Sequence, residues 1–294
     1  MSIEPDFNDT KKIRFAFFIN LVFTIIEFIG GFLTNSIAII SDAVHDLGDT
    51  LSLGLAWHFQ KKAKKGRDLK FSYGYKRFSI LGAVINSVIL IIGAIFIFYN
   101  AIPRIINPQE VDALGMFFLS ILGIVVNFWA YYKLRKGKSL NEQVVGLHML
   151  EDVLGWIAVL IGSLIMYFKG GWHWIDAVLS LFIACFILFN VYKKLRASFK
   201  IILQAIPENI DFELVQKTLL EIKNVQDIHD LHVWTLDGDR NILTVHIVVS
   251  PSLPLSEMKD IKSKARAAME AIDISHCTFE IEGEFEDCGY DKSG

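Results

Sequence analysis

Long apolar runs occupy the first two thirds of the chain, at about 13–33, 37–59, 78–99, 114–132 and 144–168, with a sixth ending near 192. Each is near the roughly 20 residues with which a helix crosses a hydrocarbon core, so the pattern predicts six transmembrane helices. Their polar breaks are Thr34-Asn-Ser, a basic stretch at 61–70, a link broken by Pro103 and Pro108, a second basic stretch from Lys133 to Lys138, and Gly170-Gly-Trp-His-Trp174. Beyond about 206 the periodicity becomes that of a water-soluble fold. A helical pattern opens at Pro207-Glu-Asn-Ile-Asp and runs to about 222. Strand-like runs at 226–236 and 242–249 flank the turn sequence Asp237-Gly-Asp-Arg-Asn241. A helix from Pro254 to about Ala271 and a strand at 275–282 complete an α-β-β-α-β order. That order predicts a small α+β domain with its helices on one face of a three-stranded sheet. The expectation is a polytopic α-helical membrane protein, residues 1–200, followed by a cytoplasmic C-terminal domain, residues 201–294.

The polar residues inside the runs change the picture most. The second run carries His45 and Asp49, and the fifth carries His148 and Asp152; in each pair the His precedes the Asp by four residues. That is just over one helical turn, so each pair projects from one helix face. An ionisable side chain at membrane depth is costly and persists only against a partner, a cavity or an ion. Two His and two Asp from two helices form a nitrogen and oxygen set suited to a tetrahedral divalent ion, zinc above all. Asp42, at i−3 from His45, extends the same stripe, while Asp46 and Glu151 lie off it and are expected outside the ligand set. Asn20 and Glu27 share one face of the first run, and a lone Glu in a span points inward, either to a hydrogen bond between helices or to a part in ion handling.

Composition agrees with a membrane protein: 53% of the 294 residues are hydrophobic, and the mean hydropathy is +0.42. The net charge of −3 hides an asymmetry. Lys and Arg crowd the N-terminus and the stretches at 61–77, 133–138 and 193–200, whereas the opposite links offer Arg104 and Lys169. The positive-inside rule then puts both termini in the cytoplasm. The basic loops read as anchors to anionic lipid and not as nucleic-acid sites. No apolar segment has the layout of a cleaved signal, so the first span is expected to remain in the mature protein. Cys185, Cys277 and Cys288 are too scattered for a disulfide framework or a CxxC metal site. No HExxH occurs, which argues against a membrane zinc hydrolase. A membrane-anchored metal sensor without transport would not require two ionisable pairs at membrane depth.

The C-terminal domain collects His229, His232, His246 and His276 beside several acids. On a regular strand His229 and His232 face opposite sides, so at most one is expected to share a site with His246.

Six spans, HxxxD in the second and fifth, and a tail carrying Ile228-His-Asp-Leu-His-Val-Trp234 resemble the cation diffusion facilitators, in particular their bacterial zinc-exporting branch. Ser41-Asp-Ala-Val-His45 and Tyr73-Gly-Tyr-Lys-Arg77 match as well, and the resemblance covers Ile13 to about Glu282. It implies a proton-coupled antiporter that carries Zn2+ out of the cytoplasm, in a bacterial inner membrane, as a homodimer joined through a metallochaperone-like tail. His45, Asp49, His148 and Asp152 fall on the family's transport site, and His at the first position leans toward zinc. His229, His246, His276 and Glu282 fall near the family's cytoplasmic metal positions. The His-rich loop that some members place between the second and third spans has no counterpart in Lys61–Lys70.

Overall fold

The computed structural model describes residues 7–63, 65–134 and 140–284. These form two compact units, one drawn from 1–59 and 82–195 and the other from 60–81 and 196–294. The first unit is built from six long helices: α1 (Phe7–Thr34), α2 (Ile37–Ala63), α3 (Phe78–Ile106), α4 (Ala113–Leu134), α5 (Leu140–Lys169) and α6 (Trp174–Ile202). Among the described residues, α1 and α3 to α6 are long and apolar enough to cross a membrane. Helix α2 is of similar length but carries Asp42, Asp46 and Asp49, whose presence lowers its apolarity. The outward faces are apolar, with Phe32, Ile92, Phe118 and Phe182 all exposed, as a lipid-facing surface requires.

Small residues set the closest helix approaches. A Cβ at Gly123 of α4 would run into the indole of Trp156 on α5, and one at Gly48 of α2 or Gly93 of α3 would meet Leu90 or Val44 of the facing helix. Close approach through small residues is the usual basis of helix association in lipid. The α1–α2 link turns at Asn35, whose φ of 55° is left-handed. Arg104 holds that turn by donating to the Asn35 backbone carbonyl at 2.7 Å and to its Oδ1 at 2.8 Å. The sequence predicts that Pro103 breaks the link after the third span, but α3 continues through it to Ile106. A proline three residues from a helix end removes one hydrogen bond from a turn that is already ending.

In the second unit, α7 (Phe212–Leu220), β1 (Val225–Thr235), β2 (Asn241–Val249), α8 (Leu255–Ala271) and β3 (Ile274–Gly283) follow in the expected α-β-β-α-β order. Asp211 caps α7 by accepting from the backbone N–H groups of Glu213 and Leu214. The sheet order is β1-β2-β3, antiparallel between β1 and β2 and parallel between β2 and β3. Leu243, Val245, Ile247 and Val249 of β2 enter one core with Val215 and Leu219 of α7 and Ile261, Ala265 and Met269 of α8. The alternate β2 residues, His246 among them, therefore face away from the helices.

That core also reaches Cys277 on β3, and burial pushes its thiol up to about 11. At pH 8 only on the order of one thiol in a thousand is then ionised, and thiolate is the reactive form. Cys277 in the native protein should react with iodoacetamide far more slowly than after denaturation, and the native rate should climb as pH rises toward 11. A native rate equal to the denatured one would contradict this burial.

Candidate metal sites

Among the described residues, two side-chain clusters have the composition of metal sites. The first lies in the helical unit. The Oδ2 of Asp49 is 3.5 Å from His45 Nδ1 and 2.9 Å from His148 Nε2. The ligand atoms of His45, Asp49 and His148 all lie within 4.8 Å of one another. Asp152, the fourth expected ligand, lies outside that group; its Oδ2 is 3.9 Å from His148 Nε2 and it is almost wholly buried. A tetrahedral ion with bonds of about 2.0–2.1 Å needs ligand atoms about 3.4 Å apart, and these separations bracket that value. The two imidazole rings meet edge to face with centroids 5.6 Å apart. Sequence periodicity puts each pair on one face of its own helix; the tertiary arrangement of α2 and α5 is what brings His45, Asp49 and His148 together.

The cluster opens into a cavity of about 290 Å³ lined by His45, Asp49, His148, Glu151, Asn190 and Lys194, among others. Glu151, expected outside the ligand set, lies there with a carboxylate oxygen 4.0 Å from His148 Nδ1, the ring nitrogen turned away from Asp49.

One residue that holds the site in place escaped the sequence reading. Asp176, in the first turn of α6, accepts from Ser36 Oγ at 2.6 Å and from the backbone N–H groups of Ile37 and Ala38 at 2.8 and 3.2 Å. A buried acid from another helix thus caps the N-terminus of α2, the helix that carries His45 and Asp49. The available signal was an aspartate in the first turn of an otherwise apolar helix.

The second cluster lies on the sheet face away from α7 and α8. His229 of β1 pairs across to His246 of β2, and Glu280 and Glu282 of β3 line the far side. Glu282 contacts His246 through Nδ1 and lies 3.1 Å from His229 Nε2. The ligand atoms of His229, His246 and Glu282 fall within 4.8 Å of one another. His276 stands opposite Ile242, with its ring against Tyr73. Six residues along β3 from Glu282, it is roughly 20 Å away and does not join this cluster.

The expectation that His229 and His232 face opposite sides is overturned. His229 pairs with His246 but His232 with Thr244, so three steps on β1 match two on β2. This β-bulge, with Asp230 at a φ of 49°, turns both imidazoles to one face. His232 nevertheless stays largely exposed and pairs with Asp230 at 2.8 Å.

Comparison with known proteins agrees with both halves of this structure. Residues 13–203 match the cation efflux transmembrane domain, and residues 207–284 match the cytoplasmic domain of cation efflux proteins. A cadmium, cobalt and zinc/H(+)-K(+) antiporter of Bacillus subtilis is 39% identical over 279 residues, covering 93% of this chain and 89% of the relative. The metal cation efflux system protein CzcD of Cupriavidus metallidurans is 33% identical over 274 residues, covering 92% and 86%. The zinc transporter ZitB of Escherichia coli is 29% identical over 282 residues, covering 95% and 89%. With six long helices, a small mixed sheet and a match to both domains along nearly its whole length, this chain belongs to the cation efflux family, the cation diffusion facilitators, and is a membrane-embedded secondary transporter, not an enzyme.

Proposed function

We propose that this protein exports divalent metal cations from the cytoplasm, zinc foremost, in exchange for protons, through a site made by His45, Asp49, His148 and Asp152. The observation that carries this reading is the meeting of His45 of α2 and His148 of α5 around Asp49 Oδ2. The names of the relatives support a range that includes cadmium and cobalt. Two imidazoles favour zinc over hard ions such as magnesium, which prefer oxygen ligands. The coupling follows from the ligands. An imidazole binds an ion only when that ring nitrogen is unprotonated, so ion and proton compete for the same lone pair. A site open alternately to each side then trades inward protons for an outgoing ion, while Asp49 and Asp152 balance the ion's charge.

In this reading residues 1–200 perform transport and residues 201–294 form a cytoplasmic domain that joins two copies. The match to the family's cytoplasmic domain supports that role. Both termini lie in the cytoplasm of a bacterial inner membrane, with the basic loops against anionic lipid. The His229, His246 and Glu282 cluster binds a zinc ion in the tail. That cluster also favours a second reading, a membrane-anchored metal sensor that does not transport.

Inside-out proteoliposomes distinguish the two. With an imposed pH gradient, external zinc should accumulate in the lumen, and a protonophore should reduce the uptake several-fold. Uptake indifferent to the gradient would remove the proton coupling. Zinc held by the protein with no uptake of zinc, cadmium or cobalt would favour the sensor.

A further inference from the structure

The transport cluster accounts for Asp49 and Asp152 and the α2 cap for Asp176, yet the helical unit also buries Glu27 of α1 and Asp42 and Asp46 of α2. Glu27 is 0% exposed and Asp46 1%. Among the described residues, no donor reaches either oxygen of Glu27 or either carboxylate oxygen of Asp46. The nearby amide of Asn20 is used elsewhere, donating to Thr50 Oγ1 at 3.2 Å and to the Asp46 backbone carbonyl at 3.4 Å.

Asn20 and Glu27 share one face of α1, and the Asn20 contacts seat that face against α2 at Asp46, which brings the Glu27 and Asp46 carboxyl groups near each other. Two carboxylates are acceptors only, so such a contact needs a proton between them. The ionisable groups around Glu27 are acids: Asp42 and Asp46 on α2 and Asp152 on α5, with Asp49 close to Asp46 and His148 close to Asp42. Helix α4, which also packs on α1, carries no acid or base between Ala113 and Trp129. Like charges at low dielectric cannot all remain ionised.

We infer that Glu27 is a proton-binding site separate from the metal ligands, filled while the transport site is empty and emptied when the divalent ion binds. When the site is empty, the negative field of Asp152 and its neighbours favours a proton on Glu27. Two positive charges beside Asp152 cancel that field and favour its departure. In the step, the O–H bond of the Glu27 carboxyl breaks, the proton leaves to water, and the carboxylate keeps the electron pair. Glu27 touches the ion at no point, so it is a coupling residue and not a ligand. This rests on the exchange reading above and adds a proton that the imidazoles do not carry.

The test counts protons on the full-length protein in detergent. Zinc is titrated calorimetrically at pH 7 in two buffers of different ionisation enthalpy, with wild type beside Glu27→Gln. The neutral, isosteric glutamine should bind zinc while releasing about one proton fewer per ion. In proteoliposomes its zinc uptake should respond less to the pH gradient. Wild-type proton release by Glu27→Gln would overturn the proposal. Loss of zinc binding in a well-folded Glu27→Gln would overturn it too, because it would make Glu27 a ligand. Should the glutamine variant not fold, Glu27→Asp decides. The pH dependence of its proton release should shift from that of wild type, and an unchanged dependence would sink the idea. Failure of the exchange reading is recognised separately: Asp49→Ala would then bind and move zinc as well as wild type, whatever Glu27 does.

Discussion

Alanine at Asp49 or at His148 is expected to abolish metal transport. Asp49 Oδ2 sits between the two imidazoles, 3.5 Å from one and 2.9 Å from the other, so its loss removes the carboxylate that touches both. His148 is the counterpart on α5, facing Asp49 and Asp152 with Nε2. Removing even an outer partner of a metal ligand commonly costs 10–100-fold in affinity, so losing a ligand should cost on the order of 100-fold or more. Either substitution also unbalances the charge: without Asp49 a bound divalent ion keeps an uncompensated positive charge at membrane depth. Zinc uptake into inside-out proteoliposomes should fall to the level of empty vesicles in both variants, while thermal stability in detergent stays near wild type. Wild-type uptake by either variant would remove that residue from the transport site.

The second large effect is expected where there is no metal at all. Asp176→Ala should lower stability by about 2–4 kcal/mol, because it strands three buried donors, Ser36 Oγ and the N–H groups of Ile37 and Ala38. It also removes a negative charge from the N-terminus of α2, where the helix dipole favours one. For a unit of this size that corresponds to a melting temperature lower by roughly 5–15 °C. Asp176→Asn keeps an acceptor and should lose about half as much. Because α2 carries His45 and Asp49, the alanine variant should also bind zinc more weakly although Asp176 touches no ligand. Thermal unfolding followed by size-exclusion chromatography checks the first part and zinc titration the second. An alanine variant as stable as wild type would show that α2 needs no cap from α6.

Much of the helical half was legible because a bilayer imposes a simple rule. A run of about 20 apolar residues has few alternatives to a spanning helix, and polar residues within it stand out against that background. Glu27, Asp42, His45, Asp46, Asp49, His148 and Asp152 were all conspicuous for this reason. Which of them meet was less legible. Spacing puts Asp42 on the stripe with His45 and Asp49 and pairs Asp152 with His148, yet both Asp42 and Asp152 fall outside the group of ligand atoms within 4.8 Å of one another, and Glu27 lies near Asp46. The rotation of each helix about its axis decides such contacts. That rotation is set by close approaches such as Gly123 on Trp156, which involve residues far apart in the chain.

The C-terminal domain shows the same division. Alternation and turn residues determined the order α-β-β-α-β and the helix and strand boundaries to within a few residues, because strand and helix periods are local properties. They could not reveal that β3 runs parallel to β2, since pairing is a choice among distant segments. Nor could they reveal the bulge at Asp230, which turns His229 and His232 to one face, because a bulge is a mismatch between two strands. The sequence by itself determined which side chains are costly to bury, and so which must find partners. Tertiary structure alone decided the partners: Asp49 with His45 and His148, Glu27 with Asp46, Asp176 with the start of α2, and Glu282 with His229 and His246. The physical reason is that burial cost belongs to a residue and its neighbours in the chain, whereas the compensating contact depends on how separate elements are rotated and registered against one another.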